Sequence, residues 1–562
     1  MTVPVERVRA VNAAPLRPER GFVLYWMTAA RRVRWSHALD HAVGLARELG
    51  RPLVIHEPLG LDDPYASDRL HAFLLAGMAE NARRLAGRPV HYLPWVERAA
   101  GQGAGLLEAL AARACAVVAD DLPADLPASR LAAAGRRLDV RLDAVDGSGL
   151  FPFRLAGREF PTAYLLRRHL QRHLPPWLDR LPSPDPLARV RLPRFAALPR
   201  ELARRWPAAT AEELADPAGL AAALPIDHAV PPAGAGGSAA AEARLAAFLD
   251  AGLARYREDR DEPGLDGASG LSPWLHCGHL SAQEVAAAVL RREGWTPMLL
   301  SPAVDGRREG WWGVSPAAGA YLDQLVTWRE LGFNWGAHRP DHRAWSSLPA
   351  WAQASLARHA ADPRVPCYDL ATLREARTHD PLWNAAQRQL LREGIIHNTL
   401  RMLWGKKILQ WTRSPEEALE IMLELNDRYA LDGRDPNSET GIFWVLGRHD
   451  RPWAPERPVF GLVRYMSSEN QARKHDVKGY LDRFGPAPAP AAASLTLPGM
   501  EGPLDSGPAA LRSGRPERPA KAPARSGSRS GSRSGSRSGS GSRSGSGSRS
   551  RSRSQRLRGQ GP

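Results

Sequence analysis

Three tryptophans lie close together between residues 382 and 411, among arginine, glutamine and lysine side chains. Trp404 and Trp411 are seven residues apart, so a helix presents them on one face, while Trp383 comes from the preceding helix. An indole can lose and regain an electron without moving atoms, so this group could relay electrons. Spacing alone does not separate a relay from aromatic core packing, because both bring indoles together.

A second group is polar and lies in "LNDRYALDGRDPNSETG", which begins at residue 425. Its members are Asn426, Asp427, Asp432, Arg434, Asp435 and Asn437. The glycine and the Asp-Pro pair predict a structured turn after a helix, and helix termination alone explains the group equally well. The glycine and glutamate of this stretch do not have the spacing of an EF-hand loop, so we predict no metal site.

A third stretch, "SGLSPWLHCGHLSAQEV", runs from residue 269 to 285. Ser272 and Pro273 predict a helix start after a Gly/Ser loop whose backbone N–H groups could hold a phosphate. Taken alone this pattern is weak, because many helices begin with Ser-Pro.

The first 150 residues alternate short apolar runs with helical patterns, which predicts a doubly wound, Rossmann-like parallel α/β sheet covered on both faces. The predicted strands lie within 21–27, 51–59, 88–94, 114–122 and 140–146. The predicted helices lie within 36–50, 67–87 and 103–113. Such a sheet binds ligands at the carboxyl ends of its strands. The glycines of "GQGAG" (101–105) follow no strand in the required register, so we predict an ordinary loop there.

Composition divides the chain into four predicted regions. They are an α/β domain at 18–150, an interdomain linker at 151–240, an all-helical domain at 241–485 and a disordered Gly/Ser/Arg-rich tail at 486–562. The linker is rich in Pro, Ala and Gly after residue 185, with room for one helix. In the helical domain, Ser414 with Glu417 three residues later, and Asp380 before a proline, predict capped helix starts.

The net charge of +16 over 562 residues suggests an anionic partner. From residue 485 onward 13 Arg and one Lys oppose three acidic residues, so a charge of +11 lies there and the remaining body is only mildly basic. Charge alone therefore does not establish nucleic-acid binding by the folded part. The three cysteines are scattered, no apolar stretch is long enough to span a bilayer, and the amino terminus does not resemble a signal peptide. These features predict a cytoplasmic protein with no membrane partner, associated with the nucleoid if prokaryotic. We also expect a monomer.

Five blocks resemble, in order and at similar spacing, the flavin-binding domain of photolyases, and are most similar to class II cyclobutane pyrimidine dimer photolyases. They are "SGLSPWLHCGHLSAQ", "THDPLWNAAQRQLLREG", "RMLWGKKILQW", "SPEEALEIMLELNDRYALDGRDPN" and "ERPVFGLVRYMS". The resemblance is close over 250–480, partial over 20–170, where "VLYWMTAARRVRWSHAL" matches loosely, and absent from the tail. It implies a light-dependent carbon–carbon lyase that repairs pyrimidine dimers in DNA.

The resemblance also assigns residues to FAD, whose reduced form would be active. The residues implied for its phosphates and ribityl chain are Tyr256, Ser269, Gly270, Leu271 and Ser272. Arg401 and Asp432 would form an ion pair beside the isoalloxazine ring, and Asn426 would face flavin N5. The electrons that reduce the flavin in light would pass through Trp404, Trp383 and Trp411.

The implied lesion-binding and DNA-binding residues are Arg260, Glu330, Met402, Trp444, Arg451 and Trp453. By resemblance, Glu330 would hydrogen-bond the flipped dimer, and Arg451 and Trp453 would fill the gap left in the duplex. A dimer stacks poorly, so extruding it costs less than flipping an intact base, and this difference selects the lesion.

Several positions depart from the family pattern. Asn398 stands after His397 where glycine is usual, Leu403 replaces tyrosine, Gly405 replaces alanine, and Asp261 replaces asparagine. The loop over 444–449 is one residue shorter than usual. A side chain at position 398 bears on the pocket shape, and the negative charge of Asp261 should weaken phosphate binding.

Three questions remain open at this point. A cryptochrome-like FAD photoreceptor without repair activity would keep the tryptophans, but Glu330, Trp444 and the pair Arg451 and Trp453 favour repair. The α/β domain would, by resemblance, host an antenna chromophore such as a deazaflavin. The tail is either a nonspecific nucleic-acid-binding arm or a solvated extension, with equal weight.

Overall fold

A six-stranded sheet forms the first part of the chain in this computed structural model, which describes residues 3–486. The strands are β1 (Val8–Ala10), β2 (Phe22–Trp26), β3 (Leu53–Leu59), β4 (His91–Val96), β5 (Ala114–Asp120) and β6 (Leu142–Val145). They lie in the order β1-β6-β5-β2-β3-β4, parallel throughout except for β1, which pairs antiparallel with β6. The predicted parallel sheet is confirmed for five strands. The short edge strand β1 is absent from the prediction, because three residues carry too little pattern.

Both faces of the sheet are covered, as the alternation along β2 shows. Phe22 and Leu24 belong to one core, whereas Val23 and Tyr25 belong to the core on the opposite face. The flanking helices are α1 (His37–Glu48), α2 (Asp68–Leu85), α3 (Leu106–Ala111) and α4 (Asp125–Arg137). A strand buried on both sides needs apolar residues at every position, which is why these strands are continuous apolar runs. The "GQGAG" stretch is a loop before α3, as predicted.

The Pro/Ala/Gly-rich segment is folded against the α/β half. Its helices are α6 (Arg200–Arg205), α7 (Ala211–Ala215) and α8 (Pro217–Ala222), so three helices follow residue 185 instead of one. The earlier helix α5 (Ala163–His173) packs in the helical half, where Arg167 pairs with Asp323. Trp206 joins the core beside the sheet and donates its Nε1–H to the Gln102 carbonyl at 2.9 Å. Helices of five or six residues present too few apolar positions for a recognisable period, which is why the composition suggested a plain linker.

The second half is helical, as predicted, and from residue 241 to 486 it contains no strand, only an isolated bridge between Arg457 and Gly461. Its longer helices are α9 (Ser238–Ala247), α12 (Ala282–Arg292), α14 (Arg329–His338), α15 (Ala350–Arg358), α17 (Pro381–Glu393), α18 (Asn398–Trp411), α19 (Pro415–Tyr429) and α20 (Pro436–Val445). Its shorter helices are α10 (Tyr256–Asp259), α11 (Ser272–His276), α13 (Pro316–Leu322), α16 (Leu370–Arg374), α21 (Ser468–Lys474) and α22 (Lys478–Phe484). A π-helical turn, Asp323–Trp328, leads into α14. The predicted tail lies, apart from its first residue, outside the described residues.

The helix starts around the tryptophans are capped by side chains. Asp380 accepts the backbone N–H groups of Leu382 and Trp383, each at 3.1 Å, at the start of α17. Ser414 accepts the Glu417 N–H at 3.1 Å, but the Glu417 carboxylate accepts from the backbone of Arg413 rather than of Ser414. Within residues 3–486 no helix combines the length and apolar character needed to cross a bilayer.

Arg69, on α2, joins the two halves of the fold. Its guanidinium donates to the carbonyls of Leu390 and Leu391 near the end of α17, at 3.0 and 2.6 Å, and of Tyr429 at the end of α19, at 2.7 Å. The last carbonyls of a helix lack intrahelical donors and carry partial negative charge, so one arginine satisfies two helix ends. The sheet half thereby fixes the two helices that carry Trp383 and Asn426.

Candidate active site

The three predicted indoles form one buried group. Trp383, Trp404 and Trp411 are each at most 2% exposed. Trp383 donates its Nε1–H to the Trp404 carbonyl at 3.0 Å, and the ring centroids of Trp383 and Trp411 are 5.7 Å apart at 69°. Trp404 donates its Nε1–H to Gln387 Oε1 at 2.8 Å. The structure therefore brings together the residues that the sequence suggests as an electron relay.

Trp411 does not itself reach the surface. The ring of Tyr368 contacts it edge-on with centroids 5.5 Å apart, and the His379 ring lies 5.2 Å away. Tyr368 is half-buried, His379 is exposed, and the tyrosine oxygen and His379 Nδ1 are 2.8 Å apart. The aromatic contacts thus continue from Trp411 toward solvent through Tyr368 and His379, and neither residue was predicted.

A polar cluster surrounds the start of α20. Arg401 and Asp432 form an ion pair with Nη2 and Oδ1 at 2.9 Å, and Arg401 Nη1 donates to Ser438 Oγ at 3.1 Å. Asn426 Nδ2 donates to Ser438 Oγ at 3.1 Å and to Asp427 Oδ1 at 3.0 Å. Ser438 therefore links the ion pair to the buried amide. Ser438 was not predicted, although it lies one turn into the helix whose start the polar motif marks.

The predicted phosphate loop is a tight turn fixed by an arginine. Gly270 has φ +66°, and a Cβ there would lie 2.9 Å from Arg244 Nε, so any other residue would be strained and crowded. Arg244 donates to the Ser269 carbonyl at 2.7 Å. Leu271 is buried, while Ser272 is exposed. Tyr256 is buried edge-on against Phe248 and does not project into solvent.

The loop and the polar cluster are neighbours. His276, at the end of α11, lies with Nδ1 3.3 Å from Asp435 Oδ2, and Asp435 caps α20 by accepting the Asn437 N–H at 2.8 Å. The two predicted cofactor-binding groups therefore lie on either side of the first turn of α20. The glycine turn before α11, and the ion pair with its fixed amide at the start of α20, provide separate positions for the phosphates and the ring of a flavin nucleotide.

Glu330 is turned toward the backbone that follows β6. Its carboxyl is buried and accepts the backbone N–H of Leu150 at 2.6 Å and of Phe151 at 3.4 Å, and burial raises its pKa to about 8. Gly332, two positions later, packs against the carbonyl of Pro436 on α20. Residues two apart on a helix point in nearly opposite directions, so Glu330 faces away from α20. This geometry does not support the predicted hydrogen bond to a lesion.

Gln324 and Trp328 lie on the side of this helix opposite to Glu330, the side that faces α20. They precede Gly332 by eight and four residues, so they share its side of the helix, and both are partly exposed between buried neighbours. Neither residue was predicted, because positions 324 and 328 lie outside the polar motifs and outside the five blocks that carry the resemblance.

The remaining lesion-binding candidates lie on and after α20. Met402 Cε is 3.7 Å from the position a Cβ would take on Gly441, and Trp444 is three residues further along that helix. Both side chains are partly exposed. The Arg451 guanidinium lies 4.3 Å from the Trp453 ring centroid, so this pair is stacked in the loop that follows. Met402 therefore lies on α18 and Trp444 on α20, and the stacked pair lies in the loop after α20.

Comparison with known proteins gives the family. No protein-family model matches the sequence. The deoxyribodipyrimidine photo-lyase of Methanothermobacter thermautotrophicus is 33% identical over 487 residues, which are 86% of this chain and 98% of that relative. The chain belongs to the deoxyribodipyrimidine photo-lyase family. The photo-lyase of Oryza sativa is 34% identical over 84% of this chain and 89% of its own. A class III photolyase from Agrobacterium tumefaciens shares the fold, with a TM-score of 0.58 at 18% identity over 84% of this chain and 87% of its own.

The departures from the photolyase pattern have structural explanations at two positions. A Cβ on Gly405 would lie 2.5 Å from Val445 Cγ2, so glycine is needed where α18 and α20 approach each other. Asp261 Oδ1 is 3.3 Å from Arg260 Nε, so the acidic residue partly neutralises the arginine predicted to contact DNA. Asn398 is exposed at the start of α18, whereas Leu403 is part of the core.

In this photolyase-family fold, Glu330→Gln is expected to remove a pH dependence of stability. The folded-state pKa of about 8 exceeds the ordinary value of 4.5, so the neutral carboxyl stabilises the fold at low pH and this contribution is lost as pH rises through 8. From pH 6 to pH 8, the free energy of unfolding of the wild type should fall by about 2 kcal/mol relative to the variant. Urea titrations at both pH values measure this. The exposed Glu309→Gln is the control, and an equal change in all three proteins would contradict the expectation.

Proposed function

We propose that this chain is a light-driven DNA repair enzyme that splits cyclobutane pyrimidine dimers and uses FAD. The observation that carries the proposal is that α18 places the indole group beside the Arg401, Ser438 and Asn426 cluster, in a chain that matches nearly the full length of a deoxyribodipyrimidine photo-lyase. One helix thereby connects a candidate electron relay with a candidate flavin site. Neither feature requires a metal ion.

The residues around the first turn of α20 would hold the cofactor. The loop from Ser269 to Ser272 and Tyr256 would bind its phosphates and ribityl chain, and the ion pair of Arg401 and Asp432 would lie beside the ring. Because Asn426 Nδ2 donates to both Asp427 and Ser438, the amide is fixed in orientation before any ligand enters. When bound, reduced FAD supplies the light-driven electron that opens the cyclobutane ring and then takes it back, so no net redox change occurs.

The protein's own contribution begins with extruding the lesion. The stacked pair of Arg451 and Trp453 would enter the duplex, while Met402 and Trp444 line the space that receives the dimer. Trp328 adds an aromatic surface on the neighbouring helix, and we propose that it and Gln324 take the place predicted for Glu330. A pyrimidine dimer stacks poorly in the DNA duplex, so stacking against aromatic side chains in the pocket can replace its contacts with neighbouring bases.

A repair assay tests the function and separates it from the cryptochrome-like alternative. The purified protein should show flavin absorption, and in its reduced form should restore dimer-containing oligonucleotide under blue light but not in the dark. Flavin absorption with light-driven reduction but no repair would favour the photoreceptor. A colourless protein that takes up no flavin on reconstitution would refute both.

The carboxyl edge of the sheet is the place we propose for an antenna chromophore. A cleft there is lined by residues after β2, β5 and β6 on one side and by α11 and α14 on the other. Asp120 Oδ2 already accepts the three backbone N–H groups of residues 28–30, at 2.8 to 2.9 Å. These donors are not free for a phosphate, which favours an aromatic chromophore without one, such as a deazaflavin. Non-flavin absorption that survives purification would support this site, and pure flavin spectra would argue against it.

Deleting residues 486–562 is expected to weaken binding to any nucleic acid. The tail carries most of the net positive charge, and each neutralised duplex phosphate steepens the dependence of log affinity on log salt by about 0.9. We expect the slope for an undamaged duplex to become shallower by at least about 3 on deletion. A tail of equal length with every arginine changed to glutamine is the control. An unchanged slope in both variants would identify the tail as a solvated extension.

A further inference from the structure

Arg464 lies between the two tryptophans assigned above to the lesion pocket and to the duplex gap. Its guanidinium carbon is 5.5 Å from the Trp444 ring centroid and 4.0 Å from the Trp453 ring centroid. The second distance is among the shortest cation–ring contacts in residues 3–486. Arg464 belongs to the block "ERPVFGLVRYMS", to which neither the sequence nor the resemblance assigned a role.

The surroundings of Arg464 hold it in this position. Its Nε is 3.7 Å from Asp450 Oδ2, and Asp450 also accepts the Trp453 Nε1–H at 3.2 Å. The Trp453 backbone N–H donates to the carbonyl of Leu462 at 2.8 Å, two residues before Arg464. The arginine and Trp453 are therefore tied together through the backbone and through a shared carboxylate.

Trp444 is anchored separately. It lies on α20, and the next residue, Val445, accepts a hydrogen bond from the buried Lys406 Nζ at 2.5 Å. Within the described residues, Arg464 is the side chain whose cation contacts both indoles. A guanidinium is a rigid plane that stays charged, so contact with two rings fixes their positions relative to each other, which a flexible ammonium does less well.

We propose that Arg464 is a positioning residue that couples the two tryptophans, so that filling the gap in the duplex and receiving the dimer occur together. The inference rests on the proposed function. Its consequence is specific: loss of Arg464 should reduce the preference for damaged over undamaged DNA, not merely the affinity for DNA. A simple phosphate contact would instead weaken both duplexes by the same factor.

The test measures dissociation constants in the dark for one duplex with and without a single dimer. Arg464→Gln should lower the preference for the damaged duplex roughly tenfold, and Arg464→Lys should restore it only in part. The matched control is Arg457→Gln, because Arg457 is an exposed arginine of the same loop that lies over Tyr465 and contacts neither tryptophan ring. We expect it to leave the preference within about twofold.

Two further readouts separate positioning from unfolding and from failure of the function. Flavin content and light-driven flavin reduction without DNA should match the wild type, because the indole relay lies on other helices. Fluorescence of 2-aminopurine opposite the dimer should report less extrusion in Arg464→Gln even when the DNA is saturated with protein. If Arg464→Gln keeps the wild-type preference for damaged DNA, the inference about Arg464 is wrong and the proposed function is unaffected. A wild type without any preference would overturn the proposed function together with it.

Discussion

Light-driven reduction of the bound flavin is expected to fall by at least about 100-fold in Trp383→Phe. A difference of about 60 mV in one-electron potential corresponds to a tenfold change in an equilibrium constant. A phenyl ring is harder to oxidise than an indole by several times this difference in potential. Trp383 is the central member of the group, in hydrogen-bond contact with Trp404 and in ring contact with Trp411. Its replacement therefore interrupts the route, whereas loss of an end member shortens it. Flavin absorption during blue illumination with an external electron donor measures the effect.

The same variant should repair DNA normally once the flavin has been reduced chemically. This separates loss of the relay from damage to the pocket. Trp335→Phe is the matched control, since Trp335 is equally buried but packs against Phe443 outside the relay. Normal photoreduction in Trp383→Phe would show that these indoles are only core packing.

Loss of the Asp432 carboxylate has the second largest expected effect. Asp432→Asn leaves Arg401 partly buried without its anionic partner, and a hydrogen bond between charged groups contributes about 1.5–3 kcal/mol. Because Arg401 also donates to Ser438, which holds Asn426, the disturbance spreads to every group predicted to surround the flavin ring. We expect FAD affinity to fall by about 10- to 100-fold, the equivalent of that range.

Equilibrium titration of the apoprotein with FAD measures this change. Glu417→Gln is the control, because it removes an ion pair with Arg413 that lies at the surface of the same half of the protein. Such exposed pairs contribute little, so its FAD affinity should be that of the wild type. Equal affinities in Asp432→Asn and in the wild type would place the flavin ring away from this ion pair.

Local sequence patterns determined the longer strands and several of the helix starts. The continuous apolar runs of β2, β3 and β5 are readable because burial on both faces demands apolar side chains at each position. The capping residues Asp380 and Ser414 are readable because a helix start needs nearby acceptors for its free N–H groups. Ordered blocks of sequence then carried the family resemblance, which the full-length relatives confirmed.

Glu330 shows what those patterns could not decide. Its block is correctly placed along the chain, yet a π-helical turn and the packing of Gly332 on α20 turn its carboxyl toward the backbone of Leu150. Similarly, nothing in the order of residues shows that Ser438 bridges Arg401 and Asn426, or that Arg464 reaches both Trp444 and Trp453.

The sequence alone therefore determined the class of fold, the capped starts of α17 and α19, and the residue types available for electron transfer and flavin binding. The tertiary structure decided which of those side chains meet and which face away. The reason is that secondary structure depends on neighbours along the chain, whereas the direction of a side chain in a site depends on helix register and on contacts between residues tens to hundreds of positions apart.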